Sequence, residues 1–154
     1  MNRFKVKIDD IQERVKVPKG VRLLVRKCCK AVLFEEHKEN FENVKIVFAE
    51  NQMLDRLSGK NLAQEKNELF VRQPIENNSD VGEYLGEVYI SLEKAMQQSQ
   101  AYNNSFEAEV VHLTAHAVFL LLGYKNRSVF EKDVLLDKEN RIVQMLGMTY
   151  HNHI

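Results

Sequence analysis

Residues 106–126, FEAEVVHLTAHAVFLLLGYKN, limit what this chain can fold into more than any other stretch. Val110, Val111, Leu113, Thr114, Ala117, Val118, Leu120, Leu121 and Leu122 put apolar groups on most sides of a helix. Such a helix has to be wrapped by other elements rather than lie on a surface. It leaves through a tight Gly123-Tyr124 exit. His112 and His116 sit inside it at i and i+4, on one face and about one turn apart. Two histidines so placed begin the zinc site of several metal hydrolases. The plainer alternative is a pair of neutral buried imidazoles bonded to backbone or to a neighbouring carboxylate. Spacing alone favours the plainer one.

Around this helix the chain divides into short elements. Phe4 to Ile8 alternates apolar and charged, as a half-exposed strand does. After Pro18, Val21 to His37 has helical periodicity in Val21, Leu24, Val25, Cys28, Ala31 and Val32. Val44 to Ala49 is a strand, Glu50 to Leu57 a short helix, and Ser58-Gly59 a turn. Glu68 to Arg72 is a strand closed by Pro74, and Glu76 to Asp80 a polar loop. Leu85 to Ser91 is another strand, with Gly86 marking a bulge or a close backbone approach. Ser91 caps a helix over Lys94 to Ala101, Ser105 caps the central helix, and Glu107 and Glu109 suit its positive end. A last helix runs from Ser128 to Leu146 and stops at Gly147. The expectation is one α+β domain over 1–154: a small mixed sheet of about four strands packed with about five helices, with 146–154 a frayed tail.

A chain of 154 residues with 44% hydrophobic and 29% charged side chains can build one real core. It has no apolar run long enough for a membrane span, and MNRFKVKIDD lacks the apolar centre of a signal peptide. Cys28 and Cys29 are adjacent, which rules out an ordinary disulfide between them and a CxxC metal knuckle. A cytoplasmic setting and no membrane partner are expected. Formal net charge is zero, but the first 30 residues hold ten basic side chains against three acidic ones. Arg22, Arg26 and Lys30 recur at i, i+4 and i+8 along the exposed side of one helix. That stripe is either a solvated face or a contact for RNA phosphates.

The frame His116 to Tyr124 resembles the motif H-G-x-L-H-L-x-G-Y-D-H of the YbeY family of rRNA maturation factors, whose three histidines hold a metal ion, usually taken as zinc. Setting the Gly-Tyr pairs together puts the motif histidines on His116, Leu120 and Asn126, and the motif Asp on Lys125. His112 matches a histidine that many members carry one turn earlier. VKIVFAENQMLDRLSGKNL is similar to the family's strand, helix and following segment. LGEVYISLEKA and KENRIVQMLGM resemble its later strand and closing helix. The likeness runs from about Val44 to Met148. It departs at Leu62, where the family has an arginine, and at ELFVRQP, which keeps only the proline and extended character of the family's TDVLSFP strand.

The resemblance implies a single-strand-specific endoribonuclease working near the end of small-subunit rRNA, with ribosomal RNA and the small subunit as partners, zinc as cofactor and no DNA. A metal would fall to His116, helped by His112 and Asn126, with His151 or His153 of the tail offering a third imidazole. A hydrolytic site needs ligands that leave a position for water and a cation for the developing phosphate charge, and Leu120 offers neither. Two other readings follow: an inactive RNA- or ribosome-binding assembly factor, and a protein-interaction domain on the same fold. A metalloprotease is set aside because no Glu follows His112. A cysteine nucleophile is set aside because Cys28 and Cys29 belong to a helix interior with no histidine near in sequence.

Overall fold

The computed structural model of this chain describes residues 4–41, 43–58, 68–74 and 83–153. In chain order the elements are β1 (Lys5–Asp10), α1 (Val21–Glu35), β2 (Asn43–Phe48), α2 (Asn51–Ser58), β3 (Leu69–Arg72), β4 (Tyr84–Ile90), α3 (Leu92–Tyr102), α4 (Phe106–Leu121) and α5 (Val129–Met145). The strands form one sheet in the order β1-β2-β4-β3. β1, β2 and β4 run parallel, and β3 is added antiparallel at the far edge. The expected mixed sheet with five helices is therefore the observed one. The turn glycine Gly59, the polar loop 76–80 and Leu62 lie outside the described residues.

The strand alternation sorts the two faces. Val44, Ile46 and Phe48 of β2 point into the main core, where they meet Val25, Cys28 and Val32 of α1 and the apolar sides of α4. Val47 and Ala49 point the other way, onto Leu54 of α2. A central parallel strand buried on both faces is what such a sheet requires. On that second face a row of alternating charges crosses all four strands. Lys45 lies 3.7 Å from Asp9 and 3.8 Å from Glu87, and Arg72 lies 3.1 Å from Glu87. Each half-exposed pair contributes little by itself.

Serine caps bound the last three helices. Ser91, Ser105 and Ser128 accept from the backbone of Lys94, Ala108 and Glu131, and Glu131 bonds back to the backbone of Ser128 to complete a capping box. α1 differs. It starts after Gly20, held at φ 92° with no side-chain cap, and ends at Glu35, two residues before His37 turns into left-handed backbone. Gly86 meets its expectation of a close approach. At φ 139° a β-carbon there would stand 2.6 Å from the Arg72 carbonyl oxygen and 2.9 Å from Leu121 Cδ2. Only glycine lets β4, β3 and the end of α4 come this near.

α4 is the axis of the molecule. Twelve of its residues are buried, among them Val110, Val111, Ala115, Val118 and Phe119. Cys28 and Cys29 are buried against it, and the Cys28 thiol donates to the Val111 carbonyl at 3.4 Å. Burial pushes the Cys29 thiol up to about 12, so it is inert as a nucleophile at neutral pH.

Candidate functional site

One face of α4 is the exception to its apolar wrapping. Glu109, His112, Leu113 and His116 line a cavity of about 180 Å³ together with Glu68, Gln98, Glu139, Tyr150 and His153. Three carboxylates and three imidazoles thus meet where α3, α4, α5, the lead-in to β3 and the C-terminal tail converge.

The polar groups are bonded chiefly to one another. His116 Nδ1 is hydrogen-bonded to Glu139 Oε2. The other oxygen of Glu139 stands 3.4 Å from His112 Nε2, a nitrogen that is buried and makes no hydrogen bond among the described residues. The His112 ring is stacked on Tyr150, centroids 3.9 Å apart and planes 7° apart. The Tyr150 hydroxyl donates to Glu109 at 3.3 Å and lies 2.8 Å from His153 Nε2. His153 Nε2 is 3.0–3.1 Å from both Glu109 oxygens, and its ring stacks on Tyr102. Asn104 donates to Glu109 at 2.8 Å and pairs with the His151 backbone in both directions. The tail at 148–153 has no regular structure, as a frayed end would not, but these bonds tie it to the wall of the cavity. The expectation of a loose end is not met, because Asn104 and Glu109 offer it buried partners.

Burial and neighbours drive the two helix histidines apart. Desolvation pulls the His112 pKa down to about 3, with the charges of His116 and His153 adding to it. His112 is therefore a neutral imidazole at any physiological pH. Burial pulls His116 down as well, but its hydrogen bond to Glu139 and that carboxylate's charge outweigh it, and the net shift is upward. Burial in turn raises Glu139, with His116 partly offsetting it. Burial, then the nearby Glu109 charge, pushes the Tyr150 hydroxyl far above its ordinary range.

The positions that the family motif would use for metal do not come together. His116 faces the cavity with its Nδ1 bonded to Glu139, a contact that a metal-ligating histidine would also make through its second nitrogen. Leu120 is half-buried against the main core, and Asn126 is exposed beyond the end of α4. Among the described residues no group of three His, Cys, Asp or Glu side chains is arranged to hold a metal ion. A leucine and a displaced amide cannot replace two imidazoles as zinc ligands, so the residues present do not fit the family's metal. Of the two tail histidines, His153 reaches the cavity and His151 contributes only its backbone. The Nε2 of His153 is turned to Glu109 and the Tyr150 hydroxyl.

The basic stripe divides. Arg22 stands 3.9 Å from Asp10. Arg26 and Lys30 instead line a groove with Lys5 and Lys7 of β1. That groove lies at the opposite edge of the sheet from β3 and is separate from the histidine cavity.

Glu139, Glu109, Glu68, Tyr150 and Asn104 were not singled out from the sequence as site residues. A signal existed for Glu139. It sits at i+4 from Leu135 and i−3 from Ile142, both buried, so it falls on the apolar face of α5. A carboxylate there must find a partner. Glu109 is likewise surrounded by buried positions, Ala108 and Val110 among them. The partners from the tail have no local signal at all.

The family model described as endoribonuclease YbeY matches residues 7–147. A protein named endoribonuclease YbeY from Thermoanaerobacter sp. (strain X514) is 32% identical over 155 residues, covering 92% of this chain and 96% of the relative. Another of that name from Carboxydothermus hydrogenoformans is 30% identical over 141 residues, with 92% and 96% covered. In three dimensions the chain is similar to the solution structure of a Thermotoga maritima protein, with a TM-score of 0.52 at 19% identity, over 91% of this chain and 87% of that one. That last likeness is one of fold.

Proposed function

Because the chain belongs to the YbeY family of endoribonucleases, we propose that it acts in ribosome biogenesis as an rRNA maturation factor, on single-stranded segments near the end of small-subunit rRNA. The observation that carries this is the family match over residues 7–147, on a fold that keeps the sheet, the buried helix and its Gly123-Tyr124 exit. Among the described residues no helix is long and apolar enough to cross a membrane. The cytoplasmic setting and the small-subunit partner belong to the proposal.

Metal is the part of the family's chemistry that these residues support least. Members of the family are in general metal-dependent, and zinc is the usual ion. Here His116 stands without its two companion imidazoles, whose places are held by Leu120 and Asn126. Leu120 and Asn126, standing where imidazoles would be, motivate a second reading that the family match does not favour: an assembly factor that holds rRNA without cutting it.

A single preparation separates the readings. Purified protein is mildly chelated, assayed for zinc by elemental analysis, and mixed with a small-subunit rRNA fragment bearing a single-stranded end. The expected result is salt-sensitive RNA binding, well under one zinc per chain, and a melting temperature that chelator leaves unchanged. Stoichiometric, chelator-resistant zinc together with cleavage of the single-stranded end would restore the metal hydrolase. Absence of RNA binding would overturn the maturation reading and turn attention to protein partners.

A further inference from the structure

Among the described residues β1 is the outermost strand of the sheet, bonded to β2 on one side only. Along its free edge runs a groove of about 390 Å³, lined by Lys5 and Lys7 of the strand, Arg26 and Lys30 of α1, and Phe4 and Val6. Phe4 and Val6 are buried and give it an apolar base. Every side chain that brings charge to this groove is a cation.

Several cations elsewhere lie beside a carboxylate. Arg22 is beside Asp10, Lys45 between Asp9 and Glu87, Arg72 on Glu87, Lys138 on Glu36 and Arg141 on Glu35. Among the described residues no ion pair involves Lys5, Lys7, Arg26 or Lys30. Four unpaired cations along a channel attract a polyanion that follows the channel. The channel also borders the edge of β1 that pairs with no other strand among the described residues.

We propose that this β1–α1 groove is a docking track for the sugar-phosphate backbone of single-stranded RNA, with Lys5, Lys7, Arg26 and Lys30 each meeting a phosphate. The proposal rests on the reading of the protein as an rRNA maturation factor. It also moves that reading's contact surface. Arg22, tied to Asp10, drops out of the stripe, and the two β1 lysines come in. Recognition of this kind is independent of base sequence and strongly dependent on salt, since each neutralised phosphate releases counterions. The histidine cavity, with three carboxylates in its wall, is by contrast unsuited to phosphate. The competing account is that Lys5 and Lys7 only protect an edge strand from pairing with another chain.

The test is a titration of a single-stranded small-subunit rRNA fragment at several salt concentrations, with the parent and with a Lys5→Gln/Lys7→Gln/Arg26→Gln/Lys30→Gln variant whose melt shows it to be folded. On a single strand each lost phosphate contact removes about 0.7 from the log–log salt slope, so the slope should fall by roughly three. Between about 50 and 200 mM salt the parent should then lose roughly fiftyfold more affinity than the variant. An equal slope in the folded variant overturns the groove while RNA binding by the parent leaves the maturation reading standing. No RNA binding by the parent overturns both. A second measurement needs no variant: an amine-acetylating reagent should label Lys5, Lys7 and Lys30 less when the RNA is present, and exposed Lys132 equally in both cases. Equal labelling of all four would overturn the track.

Discussion

The two edges of the sheet treat charge in opposite ways. Beyond β3, the cavity on α4 gathers three carboxylates and three imidazoles, and bonds them largely to each other. Along β1, four cations face a groove and pair with no carboxylate among the described residues. A buried charge left unpaired is expensive, so the first cluster had to close on itself or not exist. Exposed cations are hydrated at little cost and can wait for a partner from outside. The difference teaches where to look for structure and where to look for binding. The histidines that draw attention in the sequence are bound inward, and the unremarkable lysines of β1 are gathered with Arg26 and Lys30 along one groove.

The contrast is broken most directly at Glu139. Glu139→Ala removes the shared partner of His116 and the near neighbour of His112, and should cost about 3–5 kcal/mol in urea or thermal unfolding. Lys7→Gln, on the other edge, should stay within about 0.5 kcal/mol. Similar losses for the two would mean that the cavity network is not what holds this region.

Next in size is the pH dependence, where the two helix histidines pull in opposite directions. His112 is depressed to about 3 in the folded protein against an ordinary 6.5. The unfolded chain therefore takes up a proton below about 6.5 that the folded one refuses, and stability falls as pH is lowered, by roughly 1.4 kcal/mol per unit. His116 is raised, so its contribution is complete below its unfolded pKa and is lost as pH climbs through the higher folded value. Glu139, shifted upward by burial, blunts the acid limb towards its own ordinary range near 4.5. Unfolding curves at a series of pH values should peak near neutrality's acid side. The acid limb should flatten in His112→Gln and the alkaline limb in Glu139→Gln. If both limbs persist in these variants, other groups govern the profile.

The tail should give the smallest of the three effects. Ending the chain after Met148 removes Tyr150, His151 and His153, leaving Glu109 buried with Asn104 as its remaining partner. The expected cost is about 1–3 kcal/mol, with no change in the salt slope for RNA. A truncated chain as stable as the parent would show that the tail merely rests on the cavity. A changed slope would show that the two edges are coupled.

Much of the fold is legible because its causes are local. Ser91, Ser105 and Ser128 stop and start helices through bonds that span three residues. The alternation of Val44, Ile46 and Phe48 declares a strand, and Gly86 declares the close approach it makes to Arg72 and Leu121. α1 is the exception: the sequence suggests a helix as far as His37, but it stops at Glu35, before His37 takes left-handed backbone. At the site, the i, i+4 spacing places His112 and His116 on one face, and nothing in that spacing says what they face.

The sequence by itself determined the element order, the wrapped central helix and the absence of imidazoles at positions 120 and 126. Those follow from periodicity, capping and residue identity, which act within a turn or two of chain. Only the tertiary structure decided that Glu139, 23 residues from His116, would be its partner, that a tail 41 to 44 residues beyond Glu109 would line the cavity, and that Lys5 would share a groove with Lys30. The physical reason is desolvation. A buried carboxylate must be satisfied by whichever donors the packing brings within reach, and that choice is made across space, after the helices have docked.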